Sequence, residues 1–120
     1  MPVILPKETG WGRHIYHLYQ TRISSLKNPL TTKDTKETKE IPRRNNLIEF
    51  LKERQVGSEI YYPVPLHLQA CFIELGYRTG DMPNAERAAL ETMALPIYPE
   101  LNAEQIERVV QGIQAFYAGD

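Results

Sequence analysis

Three histidines, one cysteine and one glutamate at a helix start are the side chains of this 120-residue sequence best suited by type to acid–base, metal or nucleophilic work. His14 and His17 lie in a stretch that reads as strand, where an odd separation puts them on opposite faces and argues against a shared metal ion. Taken singly, each reads as structural. His67 differs, because Pro63 and Pro65 stiffen the backbone ahead of it and Tyr61 and Tyr62 stand close by. A rigid turn of that kind can present side chains to a pocket, and both a site role and a packing role stay open for His67. Cys71 lies within the apolar run Ala70 to Ile73, which predicts a small buried hydrophobe rather than a thiolate nucleophile. Glu86 falls in the first turn of an expected helix, where a negative charge suits the helix dipole, and a site role is left open beside that default. Trp11, between Gly10 and Gly12, is either a packing anchor or part of a contact surface. There is no Walker loop, GxGxxG, GxSxG or HExxH, each of which has fixed spacing.

The elements that must hold these residues can be read from periodicity and turn signals. Ile15 to Ile23 is rich in aromatic and branched residues and bounded by Gly10-Trp11-Gly12 and Ser24-Ser25, which predicts a first strand. Asn45 or Asn46 can cap a helix running to about Gln55, with Leu47, Phe50 and Leu51 in phase. Ser58 to Tyr62 reads as a second strand, followed by an extended segment through Pro63 and Pro65. His67 to Leu75 reads as a short helix with Gly76 as its left-handed cap. Pro83 suits the first position of the next helix, whose Ala85, Ala88, Ala89 and Met93 suggest close packing on a sheet. A brief strand near Ala94 to Tyr98 follows, confined to an edge by Pro96. Asn102 and Gln105 form a capping box for the last helix, where Ile106, Val109, Val110, Ile113, Phe116 and Tyr117 keep helical spacing.

These elements predict an α/β (α+β sandwich) fold: a small, mainly antiparallel sheet of about three strands covered by helices, forming one domain over 1–120. From Thr31 to Glu40 the chain reads TTKDTKETKE without an apolar residue, and a disordered insertion is expected at about 28–44. Lys and Arg number 14 against 15 Asp and Glu, which disfavours a nucleic-acid partner or a polybasic membrane patch. A lone cysteine excludes an intramolecular disulfide framework, and no metal ligand set is expected. The longest apolar runs fall far short of the roughly 20 residues that span a bilayer, and no signal peptide is apparent, so a soluble cytoplasmic domain is expected.

Taken in order, several segments resemble one family. GWGRHIYHLYQTR is similar to the opening strand of the C-terminal domain of DegT/DnrJ/StrS-type sugar aminotransferases. YYPVPLHLQ, then LGY, GDMPNAERAA and MALPIYPEL, resemble the rest of that domain, apart from the segment around 28–44, where the family has a short connection. The resemblance implies the small domain of a fold-type I enzyme that uses pyridoxal phosphate to move an amino group onto a nucleotide-linked keto-sugar. It implies homodimers with the active site between this domain and a larger cofactor domain. The Schiff-base lysine, the aspartate for the pyridine nitrogen and the phosphate-binding residues would belong to that larger partner, so no cofactor is expected on this chain alone. Tyr62, His67 and Gln69 match the family segment on the substrate side of the active site. There His67 would either donate to a substrate phosphate or carboxylate or order the mouth of the site. His17 and Tyr19 match the YHLY strand, mainly as structure, with His17 a lesser site candidate.

Three functions follow as expectations. The first is the C-terminal domain of such an aminotransferase, inactive in isolation. The second is a stand-alone regulatory or protein-interaction module derived from it, since some family members were first described as regulators. The third is a partner for a separately encoded large domain, which would leave an exposed apolar patch on the isolated chain.

Overall fold

Alternation across Tyr19–Ile23 puts Tyr19, Thr21 and Ile23 on one face, and this strand, β2, is the centre of the sheet. The structure is a computed structural model that describes residues 3–24 and 43–119. The TTKDTKETKE stretch, and with it most of the expected insertion, lies outside the described residues. β1 (Val3–Ile4) pairs antiparallel with β2 in the register Val3↔Ile23, and β3 (Thr92–Leu95) pairs antiparallel on the other side with Thr21↔Met93 and Tyr19↔Leu95. The three-stranded antiparallel sheet with its helices is the α+β arrangement expected.

Two helices cover the core face. α1 (Arg43–Glu53) and α3 (Ala103–Ala118) pack together over the sheet, burying Leu47, Leu51, Ile113, Ile23 and Met93 in one cluster. Gly112 lets them approach: a Cβ there would lie 2.9 Å from Leu51 Cδ2. At one end the Arg43 guanidinium lies over the Tyr117 ring, 5.0 Å from its centroid. α3 carries the predicted box, with Gln105 N–H donating to Asn102 Oδ1 and Asn102 N–H donating to Gln105 Oε1. α1 closes in a Schellman arrangement: Val56 N–H reaches Leu51 O, Gln55 N–H reaches Lys52 O, and Gln55 takes φ +59°.

α2 (Pro83–Glu91) starts at the predicted proline and runs directly into β3. Its last carbonyls are taken up by two side chains. Thr92 Oγ1 donates to Ala88 O at 2.7 Å, and the buried Arg44 guanidinium donates to Ala89 O and, at 3.1 Å, to Thr92 O. Arg44 thereby ties α1 to the α2–β3 junction, and the helix already includes Arg43 and Arg44, so Asn45 and Asn46 lie within it rather than capping it.

Two expected strands are shorter than the sequence pattern suggested. Residues Ile15 to Leu18 are not in the sheet. Tyr16 sits at φ +49°, and its N–H donates to His14 Nδ1 at 2.8 Å, so this donor is used locally. β3 also ends at Leu95 before Pro96, which leaves nothing to pair beyond Tyr19. The expected strand Ser58 to Tyr62 reduces to one bridge, in which Glu59 and Ala94 exchange two backbone hydrogen bonds of 3.2 and 2.8 Å.

Candidate functional site

The segment after Glu59 leaves the sheet as an arm. Pro65 holds an extended backbone (φ −57°, ψ 143°) that opens into a 3₁₀ turn over Leu66–Leu68. Gln69 is extended again, and a second 3₁₀ helix runs over Ala70–Leu75 to Gly76 at φ +77°. The predicted helix is thus two 3₁₀ pieces hinged at Gln69, with the glycine cap where expected.

The arm is held by one carboxylate. Glu86, in the first turn of α2, accepts Gly80 N–H at 2.8 Å on Oε1 and 2.9 Å on Oε2, with Met82 N–H at 3.3 Å. His67 Nε2 lies 3.1 Å from Glu86 Oε1. The His67 side chain is 4% exposed and its ring meets the Tyr77 ring at 90°. Hydrogen bonds from Gly80 first, then from His67 and Met82, hold the Glu86 carboxyl below the usual carboxylate range, against a smaller opposing effect of burial. The charge at the helix start was legible in the sequence. That it gathers a loop and His67, nineteen residues away, was not.

The other sequence candidates are spread over the surface. Tyr62 is 70% exposed, ahead of the 3₁₀ turn. Gln69 is half-buried, and its amide donates to Val64 O at 3.5 Å. His17 is exposed ahead of β2, apart from the strand in which it was expected. Cys71 is exposed rather than buried, because the second 3₁₀ helix stands out from the body and none of its residues is buried. Among the described residues no three His, Cys, Asp or Glu converge as metal ligands. Nor is any described helix long and apolar enough to cross a membrane.

An exposed apolar patch was expected on the isolated chain, but the residues that form it were not. On the core face of the sheet, beyond the part that α1 and α3 cover, an open apolar groove of about 600 Å³ runs between Leu5, Tyr19 and Leu95 on its floor and Ile106 and Val110 of α3 on its wall. Ile97 borders it on the chain leaving β3.

The three-stranded antiparallel sheet with its helices matches the small domains of aminotransferases. The crystal structure of S. venezuelae DesV in complex with a ketimine intermediate superposes with a TM-score of 0.77 at 25% identity, over 97% of this chain and 26% of that one. The DegT/DnrJ/EryC1/StrS aminotransferase family profile matches residues 13–114, and the chain belongs to that family. A protein of Geobacillus stearothermophilus named "Pleiotropic regulatory protein" is 40% identical over 96% of this chain and 26% of its own length. A dTDP-3-amino-3,4,6-trideoxy-alpha-D-glucose transaminase of Micromonospora megalomicea subsp. nigra is 28% identical over 96% of this chain and 26% of its own. The chain therefore spans about a quarter of the length of the curated relatives it matches.

Proposed function

We propose that this chain acts as the small domain of a pyridoxal-phosphate-dependent aminotransferase for nucleotide-linked keto-sugars, and that it does not transaminate without the cofactor domain. The observation that carries the reading is the pairing of near-complete coverage of this chain with quarter coverage of a sugar transaminase. Pyridoxal phosphate supplies an electron sink for amino transfer once a lysine holds it. The described residues offer little to hold it. Lys7 and Lys52 are exposed, and neither borders the groove or contacts the Glu86 cluster. The lysine, the group facing the pyridine nitrogen and the phosphate cradle are assigned to the cofactor domain of a homodimeric enzyme, in keeping with a cytoplasmic role.

Within this reading, exposed Tyr62 and half-buried Gln69 are the substrate-side groups of this domain, with His17 a lesser one. His67 orders the mouth of the site by fixing the arm to Glu86. The test is the purified chain mixed with pyridoxal phosphate. No lysine-dependent visible absorbance band is expected, and a stable one overturns the reading.

The relative named as a pleiotropic regulator favours a second reading, a non-catalytic regulatory module of the same descent. The genomic sequence immediately upstream of Met1 separates the two. An in-frame cofactor domain supports the enzyme, and a start codon with its own promoter supports the module.

A further inference from the structure

Tyr16 takes a backbone conformation that its side chain does not favour. Its φ is +49°, in the left-handed region where a bulky residue is uncommon. Two contacts to His14 hold it there. The Tyr16 N–H donates to His14 Nδ1 at 2.8 Å, and the two rings lie 4.2 Å apart, centroid to centroid, tilted by 38°. The Tyr16 ring in turn stacks at 5.9 Å on Tyr19, the first residue of β2. A ring nitrogen that accepts a hydrogen bond carries no proton, so His14 is here the neutral imidazole with its proton on Nε2. Imidazolium has two donors and no acceptor, and it cannot make this bond.

We propose that the His14–Tyr16 contact is a proton-operated latch at the entrance to β2, closed while His14 is neutral and opened when Nδ1 takes a proton from solvent. No covalent bond of the backbone or side chains is broken: the proton occupies the lone pair that the Tyr16 N–H used, and that N–H turns to water. Released, Tyr16 relaxes to the extended backbone that aromatic residues favour, its stack on Tyr19 is lost, and His17, the residue after it, turns with it. The open form meets the strand pattern of Ile15 to Ile23, which the closed form interrupts. The titratable groups at the contact are Glu8, Tyr16 and Tyr19. Glu8 Oε1 accepts the His14 N–H at 3.3 Å, and its carboxylate offers the imidazolium a new acceptor. The Tyr16 phenol is pushed above its ordinary range, by loss of water contact first and then by Glu8 and Tyr19, so it stays neutral throughout. Of these side-chain types, only imidazole ordinarily changes charge between about pH 5 and 8. The latch is independent of the aminotransferase reading, and its test needs no cofactor domain.

Nuclear magnetic resonance of the full 120-residue chain, labelled with heavy nitrogen, tests the latch. At about pH 8 the His14 ring should report the Nε2–H tautomer, and Tyr16 should show the strong intraresidue amide–Hα contact of a positive φ. Between about pH 8 and 5 the Tyr16 amide shift should follow the His14 ring titration with the same midpoint, and that strong contact should be lost. His14→Asn keeps an acceptor for the N–H two residues on but does not titrate, so Tyr16 should stay left-handed and its amide shift flat across the range. His14→Phe keeps a ring without an acceptor, and the signature of positive φ should be absent at every pH. His14 is exposed, so these variants should fold. A Tyr16 amide that ignores the His14 titration, as when the imidazolium stays seated on the Tyr16 face, overturns the latch. So does a left-handed Tyr16 in His14→Phe, or a titration that survives His14→Asn and disappears in His17→Gln.

Discussion

Gly112 offers the sharpest test of the packing that sets the wall of the groove. In the interior of a helix, Gly→Ala gains about 1 kcal/mol from backbone preference alone. Here the added Cβ would lie 2.9 Å from Leu51 Cδ2, a side chain with no exposure, so Leu51 must move within a filled core. Overpacking of this kind costs about 1–3 kcal/mol. Gly112→Ala should therefore be neutral to destabilising by roughly 2 kcal/mol. Leu51→Ala alone should cost about 2–5 kcal/mol, which a domain with the usual 5–15 kcal/mol can lose and remain folded. In that background the clash is gone, and Gly112→Ala should stabilise by about 1 kcal/mol. The double-mutant cycle thus has an expected coupling of about 1–3 kcal/mol. Urea unfolding followed by far-UV circular dichroism measures all four variants, with unchanged m as the check on a common denatured state. If Gly112→Ala stabilises both backgrounds equally, α1 and α3 do not approach as described.

Two further predictions concern the arm. Because Gly80 and the other donors hold the folded Glu86 carboxyl low, its contribution to stability is complete above the ordinary carboxylate pKa of about 4.3 and is lost as pH falls through the lower folded value. Gly80 and Met82 amide shifts should titrate together in that acidic window, and Glu86→Gln should abolish the titration. A titration near neutral pH would contradict the assignment. Cys71, being exposed, should react with one equivalent of a thiol reagent in the native protein as fast as in urea. Slow native labelling would mean that the second 3₁₀ helix is covered.

What was legible in the sequence is what neighbouring residues decide among themselves. The Asn102–Gln105 box, Pro83 at a helix start and Gly76 at a left-handed cap each depend on a few adjacent positions, and each stands as expected. Helix α1 and strand β2 were placed correctly in kind but not in extent. Asn45 and Asn46 lie inside α1, beside Arg44, whose guanidinium is held by carbonyls 45 and 48 residues further on. Tyr16 shortens β2 by a local bond to His14 that a strand pattern does not encode. At the site, Glu86 and His67 were both singled out, but not their mutual contact. Cys71 was misjudged because an apolar neighbourhood in sequence says nothing of what lies above it in space. An apolar patch was expected, but its residues could not be named, since they come from β1, β2, the chain around the end of β3 and α3.

The order of the strands bears on how this chain reaches its structure. The central strand β2 pairs with β1 twenty positions before it and with β3 about seventy positions after it, through Val3↔Ile23 and Thr21↔Met93. Contacts that distant in sequence slow folding, because a long loop must close before pairing rewards it. During synthesis β2 leaves the exit tunnel about seventy residues ahead of β3 and waits for α2 to deliver that neighbour. α2 runs without a break into β3, so its first turn, clasped by Glu86, emerges just ahead of the strand that completes the sheet. Translation pauses placed before Leu95 should therefore prolong the interval in which β2 lies open on one side.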